Sequence, residues 1–247
     1  TLDVELQRRL MAVWTAATAQ GATGAIVVVG VDRGEVLACV SMPGYDLNQY
    51  RADYARLATD NINMPLLHRA LWALYPPGST VKPVSAVAGL ASGRFGPHST
   101  VVCDGILHAS DAPNRCWIYG RGAHGPVDAP EALKHSCNIY FYTVANRLGL
   151  SQLSDWFGLF GLGARPGTGL DEERGGNVPL TSPYPGEARN CAIGQGGMLA
   201  SPLQIANLMA TIARGGSFLS PIVALEGAPE RVRRDLPVEP EHIRLVH

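Results

Sequence analysis

Apolar residues at Leu6, Leu10, Val13, Trp14 and Ala17 recur at helical spacing, which predicts an amphipathic helix over residues 4–19. A Val- and Ile-rich run at 24–31, the turn Asp32-Arg33-Gly34 and a second apolar run at 35–40 predict a buried hairpin. Residues 42–64 are polar, contain Pro43-Gly44 and read mostly as loop, whereas 65–74 reads as a short helix broken by Tyr75-Pro76-Pro77-Gly78. Ser79 opens an apolar helix reaching about residue 90. Gly, Pro, Cys and His crowd residues 92–130 without periodicity, so a long, tied-down loop is expected there. Helices are expected at 129–135, 138–148 and 151–160, then a Gly-rich loop over 161–200. A last clear helix at 202–214 stops at Gly215-Gly216. The remaining C-terminal stretch, rich in Pro and Arg, predicts no finished element.

Composition narrows the classes. A chain of 247 residues can form one large domain or two small ones, and 46% hydrophobic against 17% charged residues is globular. A net charge of −1, with Arg231-Val232-Arg233-Arg234 as the main basic run, argues against nucleic acid as a partner. The apolar stretches at 25–29 and 84–91 are too short to span a bilayer, and no leader pattern opens the chain; any anchor is expected outside these residues. Of 20 basic residues only Lys82 and Lys134 are lysines, so chemistry that needs an amine base has two candidates.

Ser79-Thr80-Val81-Lys82 follows the Pro-Pro-Gly break at the start of a helix, where residues three apart share a face. Ser79 is a poor nucleophile until a base takes its proton, and a desolvated Lys82 can be that base. Alone, the same residues describe an N-cap and a solvated first-turn lysine more readily than a catalytic pair. Ser136-Cys137-Asn138 opens the aromatic helix beginning Ile139-Tyr140-Phe141-Tyr142. Its hydroxyl and carboxamide can both enter a cleft if Cys137 turns away; a helix cap is the alternative.

Together these two motifs make the first two parts of the serine-acylation signature S-x-x-K, S-x-N, K-T-G. The resemblance extends through Thr1-Leu2-Asp3 with Leu6-Gln7, residues 34–41 with Pro43 and Tyr45-Asp46, residues 75–83, and His124-Gly125. It continues through residues 136–142, Thr168-Gly169-Leu170, Glu172-Glu173-Arg174 with Gly176-Asn177 and Pro179, Ile193-Gly194-Gln195-Gly196, and Pro202-Leu203-Gln204. On these residues the chain resembles the transpeptidase domain of class B penicillin-binding proteins, nearest the elongation-type penicillin-binding protein 2 branch.

The resemblance implies an α+β fold of the serine β-lactamase and penicillin-binding transpeptidase type, with an antiparallel sheet and a helical lobe. Residues 1–247 would form a partial transpeptidase domain, with about 65–214 mainly in the helical lobe. Ser79 would attack the D-Ala–D-Ala bond of a peptidoglycan stem peptide, with Lys82 as base. Ser136 would pass a proton to the leaving amine, and Asn138 would hold the substrate amide. The Ser79 N–H would supply half of an oxyanion hole, and no cofactor would be needed for catalysis. β-Lactams would acylate the same serine. The implied setting is cell-wall synthesis and cell shape at the periplasmic face of the inner membrane, with cell-elongation membrane proteins as partners.

One element departs from the family. No K-T-G follows, and no lysine at all after Lys134; Arg214-Gly215-Gly216 is a poor substitute. The sheet is therefore expected to be incomplete here. A chain that stops before the motif is favoured over a relative that has lost turnover. Two function classes are carried forward: an acyl-serine D,D-transpeptidase, and a catalytically incomplete scaffold of the same fold that binds cell-wall synthesis partners. A β-lactamase or β-lactam sensor is disfavoured by the match over 193–204.

Five cysteines complete the inventory. Cys39 and Cys191 read as small core residues. Cys103, Cys116, His124 and Cys137 form C-x12-C-x7-H-x12-C, a set suited to a structural tetrahedral zinc, with a Cys103–Cys116 disulfide as the rival. Some penicillin-binding proteins of this type resemble the chain in carrying zinc here; Asp104, His108 and Asp111 are substitute ligands. Trp117, Tyr119, Tyr140 and Tyr142 read as core more readily than as a substrate groove. Glu172-Glu173-Arg174 reads as a solvated loop, and Gly194-Gln195-Gly196 lacks the context of a phosphate loop.

Overall fold

Asp3 caps the first helix, α1 (Val4–Ala17), by accepting the Leu6 N–H at 2.9 Å. The helix lies on the hairpin β1 (Gly24–Val29)/β2 (Val36–Met42), which is antiparallel with Gly24 opposite Met42. Gln7 makes that docking specific: its side chain accepts from Cys39 N at 2.8 Å and donates to Cys39 O at 3.3 Å. The structure, a computed structural model, describes residues 2–19, 21–107, 114–171, 173–223 and 230–247.

Two expectations fail between 42 and 74. Residues 42–64 contain a helix, α2 (Tyr50–Thr59), whose only buried residue is Leu57, so it has no apolar stripe to betray it. An Arg56–Asp53 ion pair at 2.7 Å supports its exposed face. Residues 65–74, read as a helix, are turns. Their backbone groups are spent at long range: Leu67 O accepts from the Ser41 hydroxyl, Ser41 Oγ accepts from Arg69 N, and Ala70 O accepts from Leu203 N. Arg69, buried, ties Asn63 and Met64 carbonyls into the same knot.

After a 3-10 turn over Gly78–Val81, α3 (Lys82–Ala91) runs through the core with every residue from Val84 to Leu90 buried. The 92–130 segment is tied down as expected but carries short ladders: β3 (Val101–Cys103) pairs with β6 (Gly125–Val127), and nested within it β4 (Ile106–Leu107) pairs with β5 (Asn114–Arg115). Helices α4 (Ala129–Lys134), α5 (Asn138–Leu148) and α6 (Leu150–Leu159) follow where periodicity placed them. Tyr140 and Phe141 of α5 are fully buried, and Val144 packs beside Gly89 of α3, where a Cβ would lie 3.3 Å away.

The 161–200 segment holds one short helix, α7 (Glu187–Ala192), and α8 (Pro202–Ala213) starts with a full capping box between Ser201 and Gln204. Gln204 also donates to the carbonyls of Gly161, Ala164 and Gly175, pinning the Gly-rich loop to α8. The C-terminal stretch, expected to hold an unfinished element, makes β7 (Ser217–Leu219) paired with β8 (Arg233–Asp235) and then α9 (Pro240–Arg244). Arg234 explains the ladder: it stacks on Phe218 at 4.2 Å and donates to Gly158 and Leu159 carbonyls at the end of α6. The architecture is α+β, with short antiparallel sheets beside a helical lobe. Among the described residues no helix is long and apolar enough to cross a membrane.

Candidate active site

Ser79 sits exposed in the 3-10 turn, and Lys82, 1% exposed, begins α3 three residues later. Gly194 backs this turn. Its carbonyl accepts Gly78 N at 2.9 Å, and a Cβ on Gly194 would stand 2.2 Å from Gly78 O. Thus Gly194, in Gly194-Gln195-Gly196, forms the wall behind the Ser79 turn.

The second motif arrives from the α4–α5 junction. Ser136 is one of two described non-glycine residues at positive φ, +49°, a conformation that carries strain and needs support. Ser136 N donates to Leu133 O, Cys137 N donates to Ala132 O, and Lys82 Nζ donates to Ser136 O at 2.9 Å. The same ammonium donates to Ser136 Oγ at 2.9 Å and Asn138 Oδ1 at 2.7 Å. Ser136 Oγ in turn donates to Ser79 Oγ at 3.1 Å. Lys82 therefore connects to Ser79 through the Ser136 hydroxyl. Burial pushes the Lys82 pKa down to about 8, against the opposing pull of the Cys116 and Cys137 thiols. A lysine that loses its proton near neutrality, hydrogen-bonded to a hydroxyl that reaches an exposed serine, can move a proton off that serine.

Cys137 does turn away, fully buried, toward Cys103, Cys116 and His124. The four donor atoms lie within 4.8 Å of one another, with His124 Nδ1 3.5 Å from Cys103 Sγ and 3.7 Å from Cys116 Sγ. Tetrahedral zinc with ordinary Zn–S and Zn–N bonds separates such ligand atoms by about 3.6–3.8 Å; the donor set fits that ion in number and chemistry, and the two His124–Cys distances lie close to that spacing. All described cysteines are free thiols. A hydrogen bond from Cys137 lowers the Cys116 pKa and raises that of Cys137. Asp104, offered as a substitute ligand, instead accepts from Ile106 N; His108 and Asp111 lie outside the described residues.

Other readings divide. Tyr140 and Tyr142 are core, but Trp117 and Tyr119 are exposed. Cys191 is buried and Cys39 half-buried. Glu173 corrects the solvated-loop reading: it is buried and accepts from Gly167 N, Thr168 N and Thr168 Oγ1. Glu172 lies outside the described residues. Glu173, Gly194 and Gln204 all fall inside stretches that carry the family resemblance, which is the signal that pointed to them without giving their roles.

The chain is 35% identical over 233 residues to the peptidoglycan D,D-transpeptidase MrdA of Acinetobacter baumannii, covering 88% of this chain and 34% of that protein. It thus spans about a third of the length of such a curated relative. The crystal structure of Pseudomonas aeruginosa PBP2 in complex with WCK 5153 superposes with a TM-score of 0.88 at 34% identity, over 99% of this chain and 59% of that one. PBP2 of Helicobacter pylori, in its complex with MreC, gives 0.85 at 27% identity, over 100% of this chain and 47% of that one. Residues 24–247 match the family model described as the penicillin binding protein transpeptidase domain, and the chain belongs to that family.

Proposed function

We propose that this chain is part of a peptidoglycan D,D-transpeptidase domain of the elongation type, with residues 65–214 as its main helical lobe. The observation that carries the reading is the hydrogen-bonded series Lys82–Ser136–Ser79. Ser79 Oγ attacks the carbonyl of the penultimate D-alanine as its proton passes through Ser136 to neutral Lys82. The C–N bond breaks, the same route returns a proton to the leaving amine, and free D-alanine departs. An amine from a second stem peptide then attacks the ester, forming the cross-link and releasing Ser79. Asn138, with Oδ1 taken by Lys82 and one Nδ2 hydrogen donated to Arg115 O, keeps its other Nδ2 hydrogen to grip the substrate amide. The Ser79 N–H faces the developing oxyanion. β-Lactams acylate the same oxygen, in keeping with the family's name.

Cys103, Cys116, His124 and Cys137 would hold a zinc ion in a structural role, since four protein ligands leave no open position. Bound there, it would staple the 92–130 segment to the middle residue of Ser136-Cys137-Asn138. The MreC complex of the Helicobacter pylori relative supports a partner of the same kind for the full-length protein, and the family resemblance implies the periplasmic face of the inner membrane as its setting.

The test is intact mass after incubation with a penicillin, beside Ser79→Ala. One drug mass added, and lost in the variant, is expected. No adduct would overturn the reading for this chain and favour the partner-binding scaffold.

A further inference from the structure

Residues 115–117 and 135–138 meet in antiparallel order. Asn138 Nδ2 donates to Arg115 O at 3.4 Å, the Cys116 and Cys137 sulfurs lie within 4.8 Å of each other, and Trp117 Nε1 donates to His135 O at 3.0 Å. Cys137, Asn138 and the peptide leading into Ser136 each meet this one short stretch. The stretch is itself anchored, by β5 pairing with β4 and by Cys116 N donating to Gly105 O at 2.9 Å.

Trp117 is the least expected member. Its side chain is 56% exposed, so burial does not account for a large aromatic there. What it does is donate its single indole N–H to the carbonyl of the peptide that leads into Ser136. That peptide plane helps set the backbone at Ser136, held at φ +49° with its hydroxyl 3.1 Å from Ser79 Oγ. A rotation there would swing the hydroxyl away from both Ser79 and Lys82.

We infer that residues 115–117 form a template that sets the geometry of the Ser136-Cys137-Asn138 motif, with Trp117 as a positioning residue acting through its indole N–H on the His135–Ser136 peptide. The inference deepens, and rests on, the transpeptidase reading. The ring also lies 5.5 Å from the His124 ring, so packing and hydrogen bonding must be separated.

Trp117→Phe keeps an aromatic ring and removes the donor. Trp117→Gln restores an N–H at the same number of bonds from Cα. With a β-lactam as probe, Trp117→Phe is expected to lower the limiting acylation rate about three- to tenfold, the scale of one lost hydrogen bond. The half-saturating concentration should change less than about twofold and Tm by less than about 2 °C; Trp117→Gln should recover part of the rate. An unchanged rate in Trp117→Phe, or a loss that merely tracks a large fall in Tm, overturns the inference. So does Trp117→Gln no faster than Trp117→Phe, which assigns the loss to ring packing. If the parent forms no adduct, the transpeptidase reading fails separately, and amide resonances decide the template: those of Ser136 and Asn138 must move in Trp117→Phe, and unchanged signals overturn it.

Discussion

Lys82 Nζ donates to Ser136 Oγ across 2.9 Å, placing the second motif's hydroxyl between the buried amine and the exposed serine. The first motif is therefore incomplete by itself: Ser79 and Lys82 are three residues apart, yet their hydrogen-bonded link runs through a residue 57 positions from Ser79. Ser136→Ala should keep Ser79 in place but slow β-lactam acylation by about 100-fold or more, the usual worth of a positioned proton-transfer group. Lys82→Arg keeps a cation that cannot act as a base and should lose at least as much. Stopped-flow acylation measures both. A Ser136→Ala variant acylated at the parent rate would mean that protons bypass this hydroxyl.

Acylation should also follow the ionisation of Lys82. With its pKa held down to about 8 by burial, the amine is about one-tenth neutral at pH 7 and nine-tenths neutral at pH 9. The acylation rate should therefore rise about tenfold between those values and level off above. A profile flat from 7 to 9 removes Lys82 as the base; one still climbing past 10 means an unperturbed lysine.

How much of this was legible in the sequence depends on where the information lies. Helices such as α5 and α8 carry their apolar period in consecutive residues, α8 with a capping box as well, and periodicity found them. Helix α2 buries only Leu57, so no stripe existed to read. Residues 65–74 have helix-compatible composition, but Ser41, Arg69 and Leu203 claim the backbone from afar. At the site, Ser79, Lys82, Ser136 and Asn138 were marked by motif spacing, and the Cys3His set by donor chemistry. The left-handed Ser136, the relay order and Trp117's contact are properties of tertiary approach, for which local sequence has no code.

The Cys3His cluster should carry about one zinc per chain when the protein is purified without added metal. Its removal by a strong chelator should lower Tm by several degrees, since an ion held by these four residues would close the long segment between Cys103 and Cys137. Cys137→Ser should lose most of the metal and slow acylation, because Cys137 separates Ser136 from Asn138. Elemental analysis finding no zinc, with Cys103 and Cys116 disulfide-linked in a peptide map, would sink this reading.

Gly194 offers the sharpest separation of backbone strain from active-site support, because Gly93 provides its control. Both have nearly the same dihedral, φ +70° and +69°, so alanine at either costs about 1 kcal/mol from the left-handed conformation alone. Around Gly93 nothing lies within 4 Å of a new Cβ, whereas at Gly194 that atom would stand 2.2 Å from Gly78 O, next to Ser79. The backbone of the Ser79 turn must then move, and the hydrogen bond from Gly78 N to Gly194 O must lengthen. Gly93→Ala should lower Tm slightly and leave acylation at the parent rate. Gly194→Ala should lower Tm further and slow acylation at least about tenfold, since a shift of about 1 Å at a nucleophile can cost more than that. Equal behaviour of the two variants would show that the turn carrying Ser79 does not depend on the wall behind it.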